Sequence, residues 1–259
     1  MLRRLAVVLL VGIALVTTGC LDIEETVTLN RNLSGQAGFS MKVDAEPLVP
    51  FMAAMQRQMQ GKSGPPTAQD LAAARAEMLK DANPKEDFEK DKREMAQSLP
   101  PGVKLLNADF TQNGLKSAAS AMFSFENLAA LRQVMFDKPS STDADQGGGP
   151  QNPVSQPFDG LEVKDQGSTI LITSSVVDPM TGAKSQMQQM PMDAAMQQQF
   201  AAIFKGLRVA VKITAPFTIV EQNATRKEGN TLIWEFDTSK LQTMTPDQIA
   251  HGIRVVYKK

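Results

Sequence analysis

The single cysteine of this 259-residue chain, Cys20, closes an N-terminal segment laid out like a secretory signal. Arg3 and Arg4 are followed by an apolar or small run from Leu5 to Val16, then by Thr17-Thr18-Gly19 directly before the cysteine. That run is shorter than the roughly 20 apolar residues needed to cross a bilayer. Residues 1–19 are therefore expected to leave as a signal peptide. The constraint on folding is direct. With one cysteine no disulfide can close within the chain, so the domain at residues 20–259 must stand on its apolar core. Apolar residues make up 42% of the chain, enough for such a core and too many for a disordered polymer.

The segment Val16-Thr17-Thr18-Gly19-Cys20 resembles the lipobox of bacterial lipoproteins, with Thr17 where Leu is usual. The resemblance implies lipidation of Cys20, as by palmitate, and attachment to a membrane through N-terminal acyl chains. It implies a place in the cell envelope, on the non-cytoplasmic side of a bacterial membrane. Leu21 is not the Asp that retains many lipoproteins at an inner membrane, so an outer membrane is expected where the host has one. Arg3 and Arg4 leave with the signal, and 25 basic side chains then face 28 acidic ones. A net charge of about −3 argues against a nucleic-acid partner, which needs a basic patch.

Periodicity indicates an α+β fold: a mostly antiparallel β-sheet of about nine strands with helices packed on one face. Leu21 to Val43 reads as a hairpin, with an expected slip of the alternation at Glu24-Glu25. A helical insertion is expected at about residues 46–99, where Thr67 and Asp70 form a capping-box pattern and Asn83-Pro84 starts a charged surface helix. Asn113-Gly114 marks a second hairpin. A flexible loop is expected at about 137–160, rich in Pro and Gly. A third hairpin turns at 165–168, a helix covers 185–205, and a last hairpin runs from Leu207 to Phe236 with Leu232, Trp234 and Phe236 at period two.

The chemical inventory is thin. One His, His251, excludes the two-His zinc motif and multi-His metal sites, and no nucleophile elbow or phosphate loop occurs. No enzyme activity, metal or cofactor is expected. The acidic stretch Asp22-Ile23-Glu24-Glu25 reads as a solvated strand face. The 15 methionines are the one compositional oddity. Phe51, Met52 and Met55 share one helical face, and Met196, Phe200 and Phe204 another. Such faces serve either as core or as an adaptable apolar lining for a ligand. Trp234 serves as core or as a pocket wall.

Two stretches carry a family resemblance. Cys20-Leu21-Asp22-Ile23-Glu24-Glu25-Thr26-Val27-Thr28-Leu29, with its following turn and return strand, resembles the start of the LppM-type bacterial lipoprotein domain. Leu207-Arg208-Val209, Pro216-Phe217-Thr218-Ile219-Val220 and Glu228-Gly229-Asn230-Thr231-Leu232-Ile233-Trp234 resemble its end. The resemblance implies an α+β envelope domain with a non-enzymatic role in binding lipid or glycolipid, and no site residue transfers with it. Residues 47–99 and 137–160 are elaborations on that pattern. The alternative expectation is a structural or assembly lipoprotein that docks another envelope protein through its acidic helical block.

Overall fold

The computed structural model describes residues 21–80, 84–135, 162–175, 206–245, 248–249 and 252–259. The signal segment with Cys20, the 137–160 loop, the whole of the expected 185–205 helix and His251 lie outside them. The fold is α+β, with strands mostly antiparallel as expected, but the strands divide into two sheets. The first sheet has the order β3-β4-β2-β1-β7-β10-β9 and the second β5-β6-β11-β8. Their ranges are β1 Leu21–Leu29, β2 Gly35–Asp44, β3 Val103–Asn113, β4 Lys116–Phe125, β5 Glu162–Asp165, β6 Thr169–Ser174, β7 Arg208–Thr214, β8 Thr218–Gln222, β9 Arg226–Glu228, β10 Thr231–Asp237 and β11 Ile253–Lys258.

The first hairpin forms as its alternation predicts, without the slip expected at Glu24-Glu25. Register runs unbroken from Leu21 opposite Val43 to Leu29 opposite Gly35. Asn30 to Ser34 make the turn, with Leu33 at φ 65° and the Asn32 Oδ1 accepting from the Ser34 backbone N–H at 3.2 Å. Gly35 has a steric reason: a Cβ there would collide with the Thr28 carbonyl oxygen and the Phe125 ring.

β1 also pairs with β7, in parallel, from Asp22 opposite Arg208 to Thr28 opposite Thr214. This sets β1 beside a strand 186 residues further along the chain, at the centre of the sheet. The last hairpin expected from sequence is realised as β7 against β10, antiparallel from Arg208–Asp237 to Thr214–Thr231. β8 does not extend that pair. Pro216 lacks the N–H needed to continue a ladder, and after it the chain crosses to the second sheet and pairs with β11.

The sheets share one core. Trp234, Val211 and Ile213 of the first lie in the same buried cluster as Ile170, Ile172, Val255 and Tyr257 of the second. Burying a side chain of this size removes apolar surface worth roughly 1.5–3 kcal/mol each, which replaces the missing disulfides.

The helices α1 (Leu48–Met59), α2 (Ala68–Lys80) and α3 (Pro84–Ser98) fill the stretch between β2 and β3. α1 packs on α2 through the fully buried Ala53 and Ala74, with Val49 and Leu115 closing a small second cluster. The expected capping box forms at the start of α2. Asp70 accepts from the Thr67 Oγ1 at 2.7 Å and the Thr67 N–H at 2.8 Å, and pairs with Arg57 at 2.8 Å. Those bonds, Thr67's first and then Arg57's, hold the Asp70 carboxyl down to about 2.

α3 lies along β3, with Phe88 stacked on Phe110 at 5.4 Å and the Lys92 ammonium donating to the Ala108 carbonyl at 2.9 Å. A charged helix thus covers an edge strand that would otherwise offer open backbone groups. α4 (Leu128–Met135) starts at Asn127, whose Oδ1 accepts from the Ala130 N–H at 2.9 Å, and buries Leu131. α5 (Thr238–Thr243) is capped by Asp237. Among the described residues no helix is long and apolar enough to cross a membrane.

Candidate functional site

The residues singled out from sequence do not gather in one place. Phe51 is buried on α1, Met52 packs against the small α1–α2 cluster, and Met55 is half-buried. Trp234 is 1% exposed in the main core, and its Nε1–H donates to the Asn223 Oδ1 at 2.7 Å. It also borders a cavity of about 350 Å³ beside Asn223, Phe236 and Lys240. Cys20, Met196, Phe200 and Phe204 lie outside the described residues.

The sheet instead concentrates chemistry on the face turned away from the core. Alternation sends Asp22, Glu24, Thr26 and Thr28 of β1 to that side, while Ile23, Val27 and Leu29 are buried. β7 answers with Arg208 and Lys212. Arg208 donates to Asp22 and to Glu235 of β10, each at 2.7 Å, and Lys212 pairs with Glu24 at 2.8 Å. Arg226 reaches Glu235 as well, at 3.2 Å. The Arg226 and Arg208 hydrogen bonds hold the Glu235 carboxyl below its usual range. The cations and anions of four strands, β1, β7, β10 and β9, are thus locked in a row.

Where this row meets the ends of β2, β3 and β4 there is an open cleft of about 680 Å³. Its charged lining is Asp22, Lys42, Asp44, Lys116 and Arg208. Lys116 pairs with Asp44 at 3.0 Å and Arg208 with Asp22, which leaves Lys42 with no ion pair among the described residues. Thr111, Gln112, Asn113 and Ser117 add neutral hydrogen-bonding groups. A second hollow of about 240 Å³ lies further along the same strands, over Thr26, Gly38, Ser40 and Ser120. Gly38 keeps this surface low, because a Cβ there would stand 2.6 Å from the Thr26 Oγ1. Such a cleft can hold a polar ligand through hydrogen bonds and the Lys42 ammonium, which has no ion pair among the described residues. Among the described residues that line it there is no nucleophile–base pair. Among the described residues no group of His, Cys, Asp or Glu is arranged to hold a metal.

Sequence reading missed this site because Lys42 and Lys116 carry no motif and meet only through register. The signal available was the β2/β4 alternation, which puts Lys42 opposite Ala118 and Asp44 opposite Lys116.

The fold and surface define a two-sheet α+β domain with a polar cleft at the first strand. No protein-family model matches the chain, and no curated protein matches it in sequence. Its fold is similar to the NMR structure of the folded domain of the Mycobacterium tuberculosis LppM protein, at a TM-score of 0.42 and 10% identity, covering 93% of this chain and 90% of that one.

Proposed function

We propose that this chain is a lipid-anchored protein of the cell envelope that acts without catalysis, as a binding module for the polar headgroup of a membrane lipid or glycolipid. The observation that carries the reading is the position of the cleft. Asp22, in its lining, follows the lipidation candidate Cys20 by two residues, and two residues of extended chain reach at most about 7 Å. A cleft tethered so closely to acyl chains works at the membrane surface, where headgroups are the commonest polar ligand. Its volume falls within the range of small-molecule sites. Lys42 supplies a charge for phosphate, and the paired carboxylates with Thr111 and Asn113 supply hydrogen bonds for sugar hydroxyls.

Native mass spectrometry of the protein released from its own membranes tests the reading. A retained lipid is the expected result, with Lys42→Ala lowering its occupancy about tenfold. A protein that emerges bare, and whose amides at 42–44 and 111–118 ignore added sugar phosphate in NMR titration, would discard it. A retained polypeptide would instead support docking of another envelope protein.

A further inference from the structure

Glu25 is the one acidic side chain of β1 that faces the core. It shares its side of the strand with Ile23, Val27 and Leu29, and is itself only 7% exposed. Its neighbours in register are Phe39 on β2 and Val211 on β7, and beyond Val211 stands Trp234. Among the described residues its carboxyl makes no hydrogen bond or ion pair. The cations of β7 cannot serve it, since Arg208 and Lys212 are engaged on the opposite face. A buried polar group without a partner costs roughly 1–3 kcal/mol, and more when charged. Burial alone pushes this carboxyl up to about 7. The same core holds the Tyr257 hydroxyl, buried with no hydrogen-bond partner among the described residues.

The surroundings of Glu25 are uneven. Toward β7 and β10 the apolar face is closed, with Val209, Val211 and Trp234 all buried. Toward β2 and β4 it is not, because Phe39, Met41 and Ala121 on the same face are only half-buried. A carboxyl therefore stands at the inner end of an incompletely covered apolar strip. We propose that this strip is a binding site for a neutral, hydroxyl-bearing amphiphile of the long-chain alcohol or glyceride class, whose hydroxyl hydrogen-bonds to Glu25 and whose chain lies over Phe39, Met41 and Ala121. A hydroxyl suits the site better than an ammonium group, because desolvating a second ion offsets most of the attraction between buried charges. The site lies on the opposite face of the strands from the headgroup cleft and does not depend on it.

The test uses the mature chain with Cys20→Ser, which removes the acyl chains. Trp234, the only tryptophan, stands two strands from Glu25, roughly 10 Å away at ordinary strand spacing, and reports binding by its fluorescence. 1-Decanol is expected to bind at least tenfold more tightly than decyl methyl ether, which has the same chain but no donor. Glu25→Leu, which keeps the core apolar and folded, is expected to abolish that preference, whereas Lys42→Ala on the other face leaves it unchanged. Equal affinity for the two probes, no saturable signal with either, or a preference that survives in Glu25→Leu would overturn the proposal.

Discussion

The Oδ1 of Asn223 accepts a hydrogen bond from the Trp234 indole N–H at 2.7 Å and, from the other sheet, one from the Arg254 backbone N–H at 2.8 Å. The Asn223 N–H returns a bond to the Arg254 carbonyl at 3.1 Å. One side chain, at the end of β8, thereby joins the two sheets. Asn223→Ala removes both side-chain bonds and is expected to destabilise the fold by about 1–3 kcal/mol, at about 1 kcal/mol per neutral hydrogen bond. Asn223→Asp keeps the acceptor and should cost less. Urea unfolding followed by Trp234 emission distinguishes them, and equal midpoints for wild type and Asn223→Ala would show that the link contributes nothing.

Glu25 sets a pH dependence whose sign follows from its burial. The folded state binds this proton more tightly than the unfolded state, since the carboxyl is pushed from 4.5 up to about 7. Its contribution is therefore fully present below pH 4.5 and is lost as pH rises through 7, by about 3 kcal/mol in total. No other titratable side chain of β1, β2 or β7 faces it, because Asp22, Glu24, Lys42, Arg208 and Lys212 point to the opposite face. Tyr257 of β11 shares its core, and burial raises that phenol out of the relevant range. Subtracting the stability profile of Glu25→Gln from that of wild type between pH 4 and 8 isolates the effect. A flat difference curve would refute it.

Glu25 also illustrates what could be read from the sequence. The alternation of Leu21 to Leu29 was legible as a strand, and so were its turn and return strand, because local period and turn chemistry determine them. The acidic pair Glu24-Glu25 suggested a slip of register, since a carboxyl on a core face is costly. The structure keeps the register and accepts the cost. The division into two sheets was not legible, because whether β8 pairs with β7 or β11 is decided by long-range contacts. The polar cleft was hidden for the same reason: Lys42, Lys116 and Arg208 are far apart in sequence and meet only through the β1–β7 and β2–β4 ladders. Trp234 was legible on a period-two strand as an interior side chain, and packing buries it at 1% exposure.

Gly35 tests the tight closure of the first hairpin. Alanine there would push a methyl group into the Thr28 carbonyl oxygen and the Phe125 ring, both held by neighbouring ladders. Overpacking of this kind typically costs 1–3 kcal/mol. Gly35→Ala should therefore lower the thermal midpoint by several degrees, whereas Gly114→Ala in the exposed β3–β4 turn meets no neighbouring atom and pays only for its φ of 61°. A Gly35→Ala protein as stable as wild type would show that the strands can separate there without penalty.

Arg208 links β1, β7 and β10 through Asp22 and Glu235 at a site 37% exposed. Half-exposed pairs are screened, and each is worth about 1 kcal/mol or less. Arg208→Met, which retains the aliphatic stem, should cost about 1 kcal/mol at low salt and nearly nothing at 1 M salt, where the Debye length is about 3 Å. Chemical denaturation with urea at the two ionic strengths reads this directly. A loss independent of salt would assign the role of Arg208 to packing.

Cys20 is the expected point of attachment of the domain to a membrane. The apolar run Leu5 to Val16 is too short to remain as a span, and the thiol directly follows Gly19, at the expected cleavage point. The mature protein is therefore expected to begin at Cys20 with acyl chains attached. A single chain holds a protein only marginally, whereas two or more anchor it stably at roughly 0.8 kcal/mol per buried CH₂. Cys20→Ser should move the protein from the membrane fraction to the soluble one without changing the unfolding midpoint of the domain, since the thiol belongs to no disulfide. Intact-mass measurement of the membrane-extracted protein gives the number of chains. An unmodified N-terminus, or a serine variant that stays with the membrane, would overturn anchoring through Cys20.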